Sequence, residues 1–313
     1  MFLMDQQMAK QRSRATGAVR SRLVFEQLNP WVTFSYYVVT IACSMVFLHP
    51  IFLLVELLIV VGVNYVARVR KQMVMVLEGS IFMVAFIMVL NPLINNRGAH
   101  VIWTFGGTLI TVEAIFYGFM MALSLVIVLL TFLSYNKVLT SQKFMYLFSR
   151  ISPKLTLLTM ITLRFVPLFI RRLKNISQAQ TVRGINVNRG SSRQRSIGVV
   201  KMMEVLLVRS FTDALQTADS MNARGYGSGQ RSSYQRYRFK QRDLLCLGWF
   251  IPLSGLCFYA ASQGIGRMVV YPALGSLGLS LTGWLVLLGV AVLFSFPLIL
   301  EAWEWLWWNL LKS

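Results

Sequence analysis

Few side chains in this sequence could perform catalysis. The chain has two histidines and three cysteines, and no cysteine forms a C-x-x-C pair or has a histidine at metal-ligand spacing. Glu56, Glu78 and Glu113 lie within or beside apolar segments, but no D-x-x-D or H-x-x-x-H pairing accompanies them. Acid–base and metal chemistry need such groups close together. We therefore predict no catalytic residue, no metal site and no cofactor in this chain.

Two arginine–glycine pairs suggest a different chemistry, which is the binding of carboxylates. Arg183 precedes Gly184 and Arg224 precedes Gly225, and each pair follows an amphipathic segment. A glycine directly after a helix accepts the left-handed backbone conformation, and an arginine in the last turn favours the negative end of the helix dipole. Each pair alone is typical of a helix end. Together they predict two projecting guanidinium groups, suited to bidentate binding of a partner's carboxylates.

The composition places these helix ends on a membrane protein. Hydrophobic residues make up 56% of the chain and charged residues only 13%, against about 45–50% and 25% in soluble domains. Six apolar segments approach the roughly 20 residues that a helix needs to cross a bilayer. They are residues 31–48, 51–67, 73–93, 111–134, 244–262 and 279–300. The sequence therefore predicts an all-α polytopic membrane protein with about six transmembrane helices.

The distribution of basic residues predicts the orientation. The net charge is +20, and 20 of the 31 lysines and arginines lie in residues 135–242, beside only three acids. The amino terminus carries five more basic residues, whereas the predicted outer loops contain only Arg97 and Arg267. Because basic loops concentrate on the cytoplasmic side, we predict that both termini and residues 135–242 are cytoplasmic.

Four parts follow from these predictions. Residues 1–30 form a basic cytoplasmic amino terminus, residues 31–134 a four-helix transmembrane region, and residues 135–242 a cytoplasmic segment with two long helices. Residues 243–313 form the last transmembrane helices and an aromatic tail. Tryptophans are favoured at membrane interfaces, so we expect this tail to anchor the chain there.

The two helices of the cytoplasmic segment differ in character. Residues 155–170 form an apolar run that contains Arg164 and, as a helix, would extend about 24 Å, less than the hydrocarbon thickness. We predict a helix in or under the membrane surface that continues to Gln180, with a further span as the alternative. The second helix covers about residues 197–223, with apolar residues at three- and four-residue steps.

Four stretches resemble the transmembrane T component of energy-coupling factor (ECF) transporters, the CbiQ/EcfT family. Residues 218–226 resemble its second Ala-Arg-Gly signature, and residues 178–185 resemble the first, with valine in place of the alanine. Residues 91–98 are similar to its Asn-Pro-Leu-Phe-Asn-His-Arg-Gly block, with asparagine in place of the histidine. Residues 163–167 resemble its Leu-Arg-Phe-Ile-Pro segment.

The resemblance implies a non-catalytic coupling subunit in a bacterial or archaeal cell membrane. Its partners would be two cytosolic ABC-type ATPase subunits, which bind the ATP, and a substrate-binding S component for a vitamin or another micronutrient. The residues implied to couple to the ATPases are Arg183, Gly184, Ala223, Arg224 and Gly225. Those expected to contact the S component are Leu155, Leu158, Met202 and Leu206.

Other functions stay open at the level of sequence. A self-contained secondary transporter would need polar groups at the membrane midplane and repeated broken helices. An integral membrane enzyme would need clustered acids or histidines. A basic tether could bind nucleic acid or anionic lipid, and because the two helices are amphipathic we expect lipid and protein partners, not nucleic acid. The chain has no G-x-x-x-x-G-K-[ST] motif, so we expect partners to bind the nucleotide.

Overall fold

The computed structural model describes residues 24–95, 98–105, 108–149, 152–182, 192–229, 239–271, 275 and 278–310. These residues are mostly helical and fall into two compact units. The first unit comprises Met1–Phe144 and Tyr237–Ser313, and the second comprises Met145–Arg236. The second unit thus lies inside residues 135–242, which the sequence predicts to be cytoplasmic.

The described residues form ten α-helices and one β-hairpin. In chain order the helices are α1 (Pro30–Val46), α2 (Pro50–Val66), α3 (Arg70–Ile94), α4 (Val112–Val138), α5 (Ser141–Ser149), α6 (Pro153–Val182), α7 (Ser192–Ala223), α8 (Gln241–Ser262), α9 (Leu281–Phe294) and α10 (Phe296–Leu310). The strands β1 (Val101–Phe105) and β2 (Thr108–Thr111) pair antiparallel between α3 and α4.

The first two helices begin at proline, which is pre-organised for the first helical position and lacks the N–H that would be unpaired there. The side chain of Asn29 caps α1 by accepting a hydrogen bond from the Trp31 N–H at 3.1 Å. His49 caps α2 in the same way through Nδ1, which accepts from the Ile51 N–H at 3.3 Å. Burial lowers the pKa of His49, and this keeps the ring neutral so that Nδ1 can accept.

The predicted spans all coincide with apolar helices. By length and composition α3, α4, α6 and α8 could each cross a membrane, and α9 with α10 could form one further span. Helices α1 and α2 are shorter, with 17 residues each, which is near the lower limit of about 17 residues for a spanning helix. The all-α polytopic architecture is therefore confirmed.

The sixth predicted span is not one straight helix. Helices α9 and α10 meet at Ser295 and are bent by 60° relative to each other. Pro297 lies in the first turn of α10, where it has no N–H to donate and its ring would collide with a carbonyl of a continuing α9. The predicted segment 279–300 is thus divided, and most of the aromatic tail belongs to α10.

Helix α6 is longer than the apolar run that predicted it. It has 30 residues, which corresponds to about 45 Å at 1.5 Å per residue. The predicted continuation to Gln180 is confirmed. The apolar run of residues 155–170 is too short to span a bilayer alone, whereas the complete helix is long enough.

The core of the first unit lies between α1, α2, α4, α8 and α9. Its fully buried side chains include Phe47, Phe52, Ile127, Leu130, Leu293 and Phe294. Buried polar groups join the helices across this core. Asn64 Nδ2 of α2 donates to the Leu130 carbonyl of α4 at 2.9 Å, and the Tyr36 hydroxyl of α1 donates to the Phe294 carbonyl at 2.9 Å.

Candidate functional site

The end of α7 has a well-defined cap built around Gly225. The Tyr226 N–H donates to the Met221 carbonyl at 3.0 Å, and the Gly225 N–H donates to the Asn222 carbonyl at 2.9 Å. Gly225 has a φ of +73°. This pair of bonds around a left-handed glycine is a Schellman motif. The capping role that the sequence predicts for Gly225 is confirmed.

Arg224 occupies the position just before this glycine and is exposed to solvent. Among the described residues, no carboxylate lies within 4 Å of its guanidinium group. The carbonyl groups at the end of α7 form the negative end of the helix dipole, which favours a positive charge there. The neighbouring Ala223 is the last residue of the helix and is also exposed. The guanidinium is therefore accessible to a partner.

Helices α6 and α7 pack against each other through a small apolar cluster. Ile176 of α6 and Met202 and Leu206 of α7 are buried, and Phe169 and Leu173 pack against them. An ion pair between Arg172 and Asp213 joins the same two helices beside the cluster. The pair is partly exposed, so we attribute most of the packing energy to the apolar contacts.

One face of α7, together with Gln180 of α6, lines an open groove of about 770 Å³. The groove combines aliphatic side chains with charged and amide groups. Its lining consists of Gln180, Lys201, Glu204, Val205, Val208, Arg209, Thr212, Asp213 and Gln216. Such a mixed surface is suited to a protein partner with both apolar and polar side chains.

The structure divides the four residues predicted to contact an S component into two classes. Leu155 and Leu158 of α6 are 63% and 61% exposed, so a partner could reach them. Met202 and Leu206 are only 9% and 8% exposed and belong to the α6–α7 cluster. In this arrangement those two side chains hold the helices together and present little surface. Arg183 and Gly184 lie outside the described residues.

Close to the motif of residues 91–98, the structure shows a contact that the sequence did not predict. Glu113, in the first turn of α4, is fully buried. Its Oε1 accepts a hydrogen bond from the His100 N–H at 3.2 Å and lies 2.8 Å from His100 Nδ1. The carboxylate thus holds the start of the hairpin against α4.

The motif of residues 91–98, which begins with Asn91-Pro92, contributes to the enclosure of the Glu113 carboxylate. A Cβ atom at Gly98 would lie 2.7 Å from Glu113 Oε2 and 2.6 Å from Thr111 Oγ1, so only glycine fits. Asn91 Nδ2 donates to the Ala114 carbonyl and ties α3 to α4. Asn96 and Arg97 of the same block lie outside the described residues. The glycine of this motif could have indicated a close contact at position 98. The motif could not have indicated that Thr111 and Glu113 form this contact.

The fold and these features define a polytopic α-helical membrane protein with a pair of long packed helices in its second unit. Residues 17–234 match the CbiQ family, whose description is cobalt transport protein. The chain belongs to this family.

Three curated relatives carry the name energy-coupling factor transporter transmembrane protein EcfT. The chain is 38% identical to the one from Lacticaseibacillus paracasei over 104 residues, which cover 33% of this chain and 39% of that protein. It is 28% identical to the one from Streptococcus thermophilus over 209 residues, or 63% and 76% of the two chains. For Bacillus subtilis the identity is 31% over 107 residues, or 34% and 40%. Two of these matches therefore span less than half of the relative.

Proposed function

We propose that this chain is the transmembrane coupling subunit, or T component, of an ECF-type ABC importer. Two cytosolic ABC-type ATPase subunits would bind and hydrolyse ATP, and a separate S component would bind a vitamin or another micronutrient. This chain would contribute no catalytic residue and no cofactor. Membership of the CbiQ family and similarity to proteins named EcfT support the proposal.

The observation that carries the proposal is the exposed end of α7. The Schellman cap fixes the backbone on both sides of Arg224, and exposure leaves its guanidinium accessible. An arginine carried on a fixed backbone binds a carboxylate with less loss of conformational entropy than one on a mobile segment. We propose that Arg224, with Ala223 and Gly225, contacts one ATPase subunit. By the similarity of the two signatures, Arg183 and Gly184 contact the other.

The packing of α6 on α7 supplies a means to transmit movement. The cluster of Ile176, Met202 and Leu206 joins the helices as one packed element. A displacement of the end of α7 by an ATPase subunit would therefore also move α6. Leu155 and Leu158, which are exposed on α6, would pass this movement to the S component.

The proposal also assigns parts of the chain to the two sides of the membrane. The second unit and both termini would lie in the cytoplasm of a bacterial or archaeal cell, because the basic residues concentrate in these parts of the chain. The ATPase subunits, which are cytosolic, could then reach both signature arginines.

Co-purification with charge-reversed variants tests this function. In cells that also produce the ATPase and S subunits, the tagged wild-type chain should retain both partners after membrane extraction. Arg183→Glu combined with Arg224→Glu should lose the ATPase subunits and coupled ATP hydrolysis, because each new carboxylate repels the acids that the arginines bind. Membrane insertion should be unchanged.

The control is Arg193→Glu, which makes one such Arg-to-Glu change in the first turn of α7. A negative charge there is favourable for the helix dipole, so the helix should remain intact. This variant should retain the ATPase subunits. Normal complex formation and substrate uptake by the double variant would contradict the assignment.

A further inference from the structure

The turn between α2 and α3 carries three exposed basic residues within four positions. Arg68, Arg70 and Lys71 line a groove of about 410 Å³, together with Tyr65 and Val66 at the end of α2. The groove therefore has a cationic side and an apolar side. It belongs to the first unit and has no part in the coupling site described above.

The arginine at position 70 is held in place by an aromatic ring. Its guanidinium carbon lies 4.5 Å from the centre of the Tyr65 ring, which is a cation–π contact. This contact limits the freedom of the side chain and keeps its charge beside the groove. A positioned cation attracts an anionic group at a smaller entropic cost than a mobile one.

Arg68 occupies a backbone position where glycine is usual. Its φ is +57°, and it is the only non-glycine residue of the described chain with a positive φ. The Val69 N–H donates to the Asn64 carbonyl at 3.2 Å, and the Arg68 N–H donates to the Tyr65 carbonyl at 3.1 Å. This is a Schellman motif with arginine in the position that Gly225 holds at the end of α7. Arginine costs stability there, and it adds a charge to the groove that glycine could not supply.

An apolar stripe on α2 leads to this basic turn. Leu54, Leu58 and Tyr65 are all exposed, and their spacing places them on one face of the helix. Helix α2 is apolar and packs against α4 and α9, which are also apolar. We infer that an exposed apolar stripe on such a helix faces hydrocarbon. The stripe would pack along an acyl chain, while the basic turn at its end would meet the headgroup.

From this arrangement we propose that the α2–α3 turn is a binding site for the headgroup of an anionic phospholipid. The groove supplies up to three cationic partners for a phosphate, and the exposed stripe of α2 supplies the surface for the acyl chain. Basic clusters at the ends of transmembrane helices attract anionic lipids, with a gain of about fivefold in affinity for each basic residue. The proposal does not depend on the coupling function.

Lipid binding to the purified full-length chain tests the proposal. Native mass spectrometry and thermal unfolding would be measured in neutral detergent micelles with added phosphatidylglycerol, phosphatidylcholine or inorganic phosphate. The wild-type chain should bind phosphatidylglycerol and unfold at a higher temperature in its presence, with little response to the other two additions. Arg68→Gly with Lys71→Gln should weaken phosphatidylglycerol binding by about 25-fold, at about fivefold for each residue.

The single variant Arg68→Gly separates binding from folding. Glycine relieves the left-handed strain, so this variant should unfold at an equal or higher temperature than the wild-type chain without lipid. Its stabilisation by phosphatidylglycerol should nevertheless be smaller. Arg267→Gln is the matched control, since Arg267 is exposed and its Nε donates to the Val46 carbonyl at the end of α1, away from the α2–α3 turn. It should leave phosphatidylglycerol binding unchanged.

Two results would overturn the proposal. One is an equal response of the wild-type chain and the double variant to phosphatidylglycerol. The other is an equal response of the wild-type chain to inorganic phosphate and to phosphatidylglycerol, since that would make the turn a phosphate site without a lipid.

Discussion

Single residues decide where this chain presents positive charge. At the end of α7, glycine takes the left-handed position and Arg224 stands just before it, so the backbone is relaxed and the arginine is exposed. At the end of α2, Arg68 takes the left-handed position itself. The two ends use the same hydrogen-bond pattern. We propose a protein partner for the first and a lipid for the second.

The cap at Gly225 should be sensitive to a single methyl group. Gly225→Ala forces a residue with a Cβ atom into a φ of +73°, which should cost about 1 kcal/mol. We expect faster amide hydrogen exchange in the last turn of α7 and weaker retention of ATPase subunits. Gly248→Ala is the control, because a Cβ at this position of α8 meets nothing within 4 Å. Equal exchange in the two variants would show that the cap does not hold the end of α7.

The close approach at Gly98 gives a second prediction for a single residue. Gly98→Ala places a Cβ atom within 2.8 Å of Thr111 and Glu113, so the hairpin must move away from α4. Overpacking of this kind costs roughly 1–3 kcal/mol, and we expect a lower unfolding temperature in detergent. Gly79→Ala on α3, where a Cβ meets nothing within 4 Å, should be neutral or slightly stabilising. An unchanged unfolding temperature for Gly98→Ala would contradict the packing described for Glu113.

Among the structural elements, α6 and α7 show what sequence pattern predicts and what it does not. The three- and four-residue spacing correctly predicts an amphipathic α7. It does not predict which apolar residues α6 covers, because the apolar stripe is wider than the contact. Met202 and Leu206 are therefore buried, whereas Met203 and Leu207 remain exposed. Distinguishing them required the packing partner, Ile176, which lies far away in sequence.

The neighbouring leucines of α7 provide a matched pair for this packing. Leu206→Ala removes a buried side chain from the α6–α7 cluster and should cost about 2–4 kcal/mol of local packing energy. Leu207, which is 58% exposed, should tolerate alanine with little change in the same contact. Hydrogen exchange of α6 and α7 in the full-length protein would measure the difference. Similar protection in both variants would argue against a tightly packed helix pair.

The bend between α9 and α10 shows another limit of hydropathy. Both helices are apolar, so a hydropathy pattern reads them as one span with an aromatic tail. The 60° bend at Ser295 follows from the proline two residues later. Pro297 is present in the sequence, and a proline at this position predicts a break between the two helices.

At the level of the whole molecule, composition was sufficient for the class of fold. A chain with 56% hydrophobic and 13% charged residues is expected to bury apolar helices in lipid. The motifs then indicated the family. The contact between Gly98 and Glu113 could not be predicted, because it depends on how the hairpin folds back between α3 and α4.

The central claim is that the end of α7 contacts an ATPase subunit, and site-specific crosslinking in membranes tests it most directly. Asn222→Cys, modified at its thiol with a photoactivatable crosslinker, places this probe in the last turn of α7 while Arg224 is kept. In membranes that contain the whole complex, we predict a crosslinked product with the mass of this chain plus one ATPase subunit. Leu281→Cys, at the exposed start of α9, should give no such product. Crosslinking of position 222 to lipid alone, or to no ATPase subunit, would contradict the account.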